Sequence, residues 1–296
     1  MDFLINILEQ GLIFGIMVLG VFITYKLLNF PDLSVDGTFP LGASITASAL
    51  VLGINPWIAT IFAFIGGAIG GAITGFLHVK LKITNLLSGI LVMTGIYSIN
   101  LRIMGKANIA LFQQKTIFSS GVGVLLTLGI FVLVIKIILD LFLKTKLGFL
   151  LNAIGDNPVL VSSLGLDVGK VKFLGLALSN GLVAMSGSIM AQYQGFSDVG
   201  MGTGVIVMGL ASIIIGEMIF KRIPFVLTTT IVLFGSILYK AITAIALRMG
   251  LPATDLRLIT AIIVVAILSI YGRGIPLLWK RKVKGGAPLV ATTKHI

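Results

Sequence analysis

Residues 29–42 read NFPDLSVDGTFPLG, and they interrupt an apolar stretch that otherwise runs from residue 5 to residue 53. Pro, Asp and Gly at this density end a first apolar run at 5–28, and only the run at 39–53 follows before the next break. At ~1.5 Å rise per residue, the ~15 residues after the motif reach about 22 Å, short of the ~30 Å hydrocarbon core of a bilayer. Residues 195–204, GFSDVGMGTG, punctuate the second half in a related way: Phe, then Asp, then Gly and Thr, again with a short apolar segment behind them at 204–219. Short segments at corresponding positions predict broken or re-entrant helices, in halves related by an inverted repeat around a central pathway.

Composition sets the frame for these interruptions. Hydrophobic residues make up 57% of the 296 and charged residues 11%, against roughly 25% charged in a soluble domain. The chain therefore reads as an all-α, polytopic membrane protein. With about 20 residues per crossing as the yardstick, nine spans are expected, near 5–28, 39–53, 56–78, 84–101, 121–143, 171–192, 204–219, 223–247 and 256–272. The first is a true span rather than a signal peptide, because Asp2 and Glu9 stand where a basic n-region belongs. In the third, Gly66 and Gly70, then Gly67, Gly71 and Gly75, recur at i, i+4. Small residues at that spacing let helix backbones approach, so this span is expected inside the bundle.

The basic residues orient the chain. Of the 22 Lys and Arg, Lys136 and Lys240 lie inside spans; with the N-terminus outside, Arg102, Lys106, Lys115, Arg248 and Arg257 are external and the other fifteen are cytoplasmic. The positive-inside rule favours this arrangement. It gives a membrane domain over 1–272, with a cytoplasmic segment at 147–170, and a basic cytoplasmic tail over 273–296. The tail's cluster from Arg273 to Lys284 directly follows the last span, where basic residues hold topology and touch anionic lipid headgroups. No aromatic-interleaved basic surface accompanies it, so nucleic acid is not an expected partner.

Asp32 and Asp36 then sit at or below the membrane surface, and Asp198 near the opposite face. An intramembrane carboxylate is a functional candidate by default, while Asp36 and Thr38 also suit the N-terminus of the half-helix that follows. Capping and pathway lining both stay open. Asn180 lies in a span rich in Ser and Gly, where an amide bonds another helix or lines a route. With Ser34 and Asn100, these residues form the expected substrate pathway. Lys136 with Asp140, and Glu217 with Lys221, stand at i, i+4 and are expected to pair locally. Lys240 lacks such a partner and is expected to snorkel outward.

Residues 147–172, LGFLLNAIGDNPVLVSSLGLDVGKVK, are the polar segment between long apolar runs. Asn157 is a natural N-cap, Pro158 suits the first helical position, and Gly165 can supply a left-handed C-cap. A helix of about two turns is marginal alone in water, so it must dock on something, and in a membrane protein a partner subunit is the candidate.

Several chemistries are missing. No cysteine is present, so thiol nucleophiles, disulfides and thiolate metal sites are excluded, and neither His78 nor His295 has a second ligand at metal-binding spacing. The nearest approach to a phosphate-binding loop, Gly165 to Val171, has one residue too few between its glycines and Val after the Lys. The GMGTG run lacks the strand and helix of a dinucleotide site. No catalytic residue, cofactor or metal is expected, and an enzyme is not the reading.

These residues resemble a family. Gly155, Asp156, Asn157 and Pro158, then Gly165, Val168 and Lys172, then Ser179, Gly181, Ala184 and Gly187 are similar to the permease subunits of ABC importers for branched-chain amino acids and ribose. Asp32, Leu33, Ser34, Val35 and Gly37 resemble the DLSVG motif of the sugar branch, with Asp36 intervening before the glycine. NFPDLSVDGTFPLGA and the stretch from Asn85 to Gly105, NLLSGILVMTGIYSINLRIMG, look closest to permeases assigned to tryptophan and tyrosine uptake. The resemblance covers about residues 11–272 and departs from the ribose branch in lacking an extra first helix. It implies a bacterial cell-membrane permease, a homodimer on two separate ABC ATPase subunits, fed by an extracellular substrate-binding protein. In that reading the helix at 158–164 is the coupling helix, with Asp156, Asn157, Pro158, Ser162, Ser163 and Gly165 as the ATPase-coupling set. Alternatives are a sugar or nucleoside ABC permease, an ion-coupled secondary transporter, or a scaffold or channel that does not pump.

Overall fold

The computed structural model describes residues 2–220 and 227–249, together with helical positions 258, 261, 262, 265, 266 and 269. Its order is α1 (Asp2–Phe22), continued by π-helical turns over Ile23–Leu27, α2 (Val35–Val51), α3 (Pro56–Val79), α4 (Asn85–Met104), β1 (Asn108–Ala110), a 3-10 turn over Ile117–Ser120, α5 (Val124–Leu143), α6 (Lys146–Asp156), α7 (Pro158–Ser163), α8 (Val168–Gln194), β2 (Phe196–Asp198), α9 (Val205–Phe220) and α10 (Thr228–Arg248). The fold is all-α and polytopic apart from the short antiparallel pair β1–β2, which registers Ile109 against Ser197.

Six described helices are long and apolar enough to cross a membrane: α1 with its π continuation, α3, α4, α5, α8 and α10. The expected spans at 39–53 and 204–219 correspond to the shorter helices α2 and α9, of 17 and 16 residues. The ninth, 256–272, lies outside the described residues apart from isolated helical positions. Of the nine expected spans, six are long helices and two, 39–53 and 204–219, are the short helices α2 and α9 that their length predicts; among the described residues, six helices are therefore long enough for a full crossing.

α8 is the centre of the bundle, packed against α1, α2 and α3. Its serines explain the antiparallel fit to α1: Ser179 Oγ donates to the Gly20 carbonyl and Ser186 Oγ to that of Ile13, each at 2.7 Å. Hydroxyls that return their proton to a neighbouring backbone are cheap to bury and fix the register of two helices. Against α3 the approach is closer still. A Cβ on Gly71 would lie 2.1 Å from the Leu176 carbonyl oxygen, one on Gly67 2.4 Å from that of Asn180, and one on Gly75 3.1 Å from the Phe173 backbone. Gly66 and Gly70 instead meet Ile45 of α2, and Thr38 of α2 with Ile96 of α4. The glycine columns of α3 are thus its contact faces, as their spacing predicts. The other face of α3 exposes Trp57, Ile61, Ile65, Ile69 and Ile73 at a four-residue interval, an apolar stripe suited to lipid.

The two short helices start in the interior. α9 runs alongside α1 with Gly209 against Met17 and Val21 and with Glu217 reaching Lys26, so its N-terminus lies near the middle of α1. α2 runs parallel to α8, with Thr38 beside Asn180 and Thr46 beside Ser188, and its first turn touches the start of α9. α2 therefore rises toward the face carrying the β1–β2 pair, and α9 descends toward the face carrying α6 and α7.

Candidate functional site

The expected pathway residues separate into a pin, a junction and two outliers. Asp32 lies in the turn before α2, and the pin forms where that turn meets α8. Asp32 Oδ1 accepts the Ser34 backbone N–H at 2.9 Å and its hydroxyl at 2.6 Å, while Oδ2 accepts Asn180 Nδ2 at 2.7 Å. Asn180 spends its other amide hydrogen on the Leu176 carbonyl, 3.1 Å away, and its oxygen accepts the Thr38 hydroxyl at 2.7 Å. All four side chains are buried. A buried carboxylate with three donors and, among the described residues, no cation is tolerable only because every donor is fixed in place. Gly89 of α4 closes over it: a Cβ there would sit 2.8 Å from the Leu33 backbone nitrogen. Asn180 thus bonds another element rather than facing open space in this conformation.

At the junction, Asp36 caps a helix other than its own. Its Oδ2 accepts the Gly204 N–H at 2.9 Å and its Oδ1 the Ile206 N–H at 2.8 Å, so it satisfies the N-terminus of α9 from within the first turn of α2. Thr38 likewise sits inside α2 and bonds Asn180 rather than capping. Pro40 contributes by omission. Lacking an N–H, it frees the Asp36 carbonyl, and Gly202 packs so close that a Cβ would be 2.0 Å from that oxygen. Gly204, at φ +82°, makes the turn into α9 in a region that L side chains avoid.

Asn100 and Asp198 stand apart from these. Asn100 is buried in α4, donates to the Gly37 carbonyl at 3.4 Å, and its Oδ1 has no partner among the described residues. Asp198 ends β2, where Oδ1 takes the Gly200 N–H at 2.7 Å and holds the turn toward α9.

The coupling set is brought together at the opposite end. Asn157 Oδ1 accepts the Leu160 N–H at 3.0 Å, Pro158 opens α7, and Gly165 follows it at φ +76°. Ser163 turns its hydroxyl back to the Leu160 carbonyl at 2.8 Å. Val161 anchors α7 in the core, while Val159, Leu160 and Leu164 are 76%, 57% and 68% exposed. α6, which the sequence reading did not separate from α7, presses on the π turns: a Cβ on Gly155 would lie 2.0 Å from the Leu27 carbonyl oxygen. After α7, Asp167 caps α8 through the Lys170 N–H, and that bond holds its carboxyl below the usual range.

Two charges differ from expectation. Glu217 forms its ion pair with Lys26 of the π turns, at 2.7 Å, and Lys221 lies outside the described residues. Lys136 and Asp140 pair as expected, at 2.6 Å. Lys240 does not snorkel. Gly11 packs on Ile237 and Gly15 on Leu233, so Phe14 lies deeper than the Lys240 backbone, and the ammonium points down onto the Phe14 ring, 3.6 Å from its centroid. Helical side chains lean toward their own N-terminus, which for α10 is the inward direction. The signal was available in the sequence: a lysine within a span and no carboxylate three or four residues away.

A sequence profile of the family described as branched-chain amino acid transport system, permease component, matches residues 3–268. The tyrosine transport system permease protein of Clostridioides difficile (strain R20291) is 52% identical over 269 residues, which cover 91% of each chain. A probable branched-chain amino acid transport permease protein of Methanocaldococcus jannaschii is 29% identical over 212 residues, 64% of this chain and 66% of that one. The ribose import permease protein of Escherichia coli (strain K12) is 24% identical over 220 residues, 72% of this chain and 68% of that one. No solved structure gives a significant match.

Proposed function

Since the chain belongs to the family of branched-chain amino acid transport system permease components, we propose that it moves an aromatic amino acid inward, using movements that α7 receives from a separate ATPase. The protein is a multi-pass membrane protein and the permease subunit of a binding-protein-dependent ABC importer; ATP hydrolysis belongs to another subunit. The aromatic substrate is taken from the relative that shares 52% identity over 91% of this chain and is named a tyrosine permease.

The observation that carries the coupling reading is α7 itself: a six-residue helix, capped at Asn157, that exposes Val159, Leu160 and Leu164. Apolar residues on a short capped helix at the end of a bundle fit a groove on a partner, and the positive-inside rule makes this the cytoplasmic face. Asp156, Asn157, Pro158, Ser162, Ser163 and Gly165 shape that element. Displacement of α7 would pass through α6 to the π turns at Gly155 and Leu27, then through Lys26 and Glu217 to α9. α9 begins at the Asp36 junction, so a push from the ATPase at its other end would reach the middle of the membrane.

Head-to-head short helices of 17 and 16 residues, the first opening with Asp36, Gly37 and Thr38 in its first turn and the second following Asp198, Gly202 and Thr203, support the inverted repeat. In this reading the pin at Asp32, Ser34 and Asn180 holds α2 to α8 in the closed conformation, Asp36, Asn100 and Asp198 flank the route at successive depths, and two copies form the working unit. The apolar stripe of α3 faces lipid or the second copy. Reconstitution with the ATPase and binding protein encoded beside it tests the assignment. ATP-dependent uptake of L-tyrosine is expected; uptake by the permease alone on a proton or sodium gradient would refute it.

A further inference from the structure

A cavity of about 1210 Å³ lies between α1, α9 and α10, with Ala261 also in its wall. Asp2, Phe3 and Arg248 stand at its mouth on the β1–β2 face, and Thr203 and Gly204 lie at its far end, where Asp36 holds the start of α9. It therefore runs from one membrane face to the mid-depth junction. Its volume is above the ~300–1,000 Å³ of ordinary small-molecule pockets, which suits a passage segment more than a closed site.

Lys240 is the deep charge in this wall. Its ammonium rests on the Phe14 face, 3.6 Å from the centroid, and among the described residues no carboxylate pairs with it; the acidic side chains in ion pairs there are Glu217, Asp140 and Asp167, each with another lysine. Arg248 stays at the mouth, over the Phe3 ring at 5.0 Å, near Asp2. Across from Lys240, α1 presents Asn6 and Gln10, linked side chain to side chain at 2.7 Å. An intramembrane cation marks an ion or substrate pathway, and an aromatic face beneath it keeps the charge in place without neutralising it.

We propose that this cavity receives the solute from the β1–β2 face and that Lys240, held on the Phe14 ring, binds its carboxylate, with the Asn6–Gln10 amides completing the subsite. A single ammonium offers three rotatable donors as a point charge, which matches one carboxylate and gives a neutral sugar or nucleoside nothing comparable. This rests on the amino-acid reading above, so the test separates the two.

The chain has no native cysteine, and Ala244 lines the cavity one turn beyond Lys240. In the assembled complex carrying Ala244→Cys, labelling rates are compared for a small anionic and a small cationic methanethiosulfonate. The anionic-to-cationic ratio is expected to fall about tenfold or more in Lys240→Met and to return in Lys240→Arg. L-tyrosine should slow labelling of the Lys240 form, while tyramine, which lacks the carboxylate, should not. A ratio that Lys240→Met leaves unchanged overturns the subsite. So does a complex that imports an amino acid while no amino acid slows the labelling. Import of ribose and of no amino acid refutes the substrate reading by itself, and the reagent ratio still decides whether Lys240 attracts anions.

Discussion

Asp36 Oδ1 accepts the backbone N–H of Ile206 at 2.8 Å, joining the first turns of two short helices across 170 residues of chain. Each helix N-terminus carries about half a positive charge, and two such ends meeting inside a bundle repel unless an anion lies between them. Asp36 is that anion. The contact explains why an acidic residue stands in a motif otherwise built for a tight apolar turn.

Removing this cap should be measurable as stability. Asp36→Ala takes both acceptors from α9 and should cost about 0.5–2 kcal/mol, the range for a lost N-cap; Asp36→Asn keeps one acceptor oxygen and should fall between. Thermal unfolding of the purified complex in detergent reads the order, with uptake measured alongside. An Asp36→Ala protein as stable as the parent would show that α9 does not depend on the contact.

The pin at Asn180 should be less forgiving. Asn180→Leu removes one of three donors from a buried carboxylate and leaves the Thr38 hydroxyl only its longer contact to the Val35 carbonyl, at 3.4 Å, and each unsatisfied buried group costs about 1–3 kcal/mol, more when charged. Yield of monodisperse protein and its melting midpoint are expected to drop together. A parental midpoint for Asn180→Leu would mean that the network contributes nothing net.

Two glycines of the same residue type should behave oppositely. Gly71→Ala places a methyl group 2.1 Å from the Leu176 carbonyl oxygen and must separate α3 from α8, whereas Gly95 has nothing within 4 Å of the added carbon. Destabilisation by the first and tolerance of Gly95→Ala, compared by thermal midpoint, is the expected pair. Equal effects would remove close packing as the reason for the α3 glycine columns.

Lys26 and Glu217 offer a test of transmission, with the thermal midpoint read alongside because the lysine is 41% exposed but the glutamate only 10%. Lys26→Glu and Glu217→Lys should each lower ATP-driven uptake while ATPase activity persists, and the double exchange should recover part of it. No recovery in the double variant would place the coupling route elsewhere.

Much of this was legible in the chain. Glycine spacing in α3 and the Asn157–Pro158 start and Gly165 end of α7 are local patterns with local causes, and the structure places them as read; the two short runs correspond to α2 and α9, but α2 opens at Val35, inside its motif rather than after it. The partners of lone charges were not legible. Asp36 seemed fit to cap α2, yet it caps α9, because the α9 N-terminus arrives from another part of the sequence. Glu217 pairs with Lys26 rather than locally for the same reason. Lys240 was misread because snorkelling assumes that the nearer interface wins, whereas its direction is set by the orientation of α10 and by the Phe14 ring beneath it. The α6–α7 division was hidden because Asp156 and Asn157 separate two helices without a break in polarity.

The central claim, that α7 carries the signal from the ATPase, is tested most directly by charging its exposed face. Val159→Asp together with Leu160→Asp alters two side chains that are 76% and 57% exposed and leaves the Asn157 cap and the Val161 anchor in place. The measurement is ATP-driven L-tyrosine uptake by the reconstituted complex, with insertion of the variant checked by its melting midpoint. The account predicts a normally folded permease whose uptake is abolished and whose ATPase subunit no longer co-purifies or no longer responds to loaded binding protein. Full uptake with these two aspartates on α7 would contradict it.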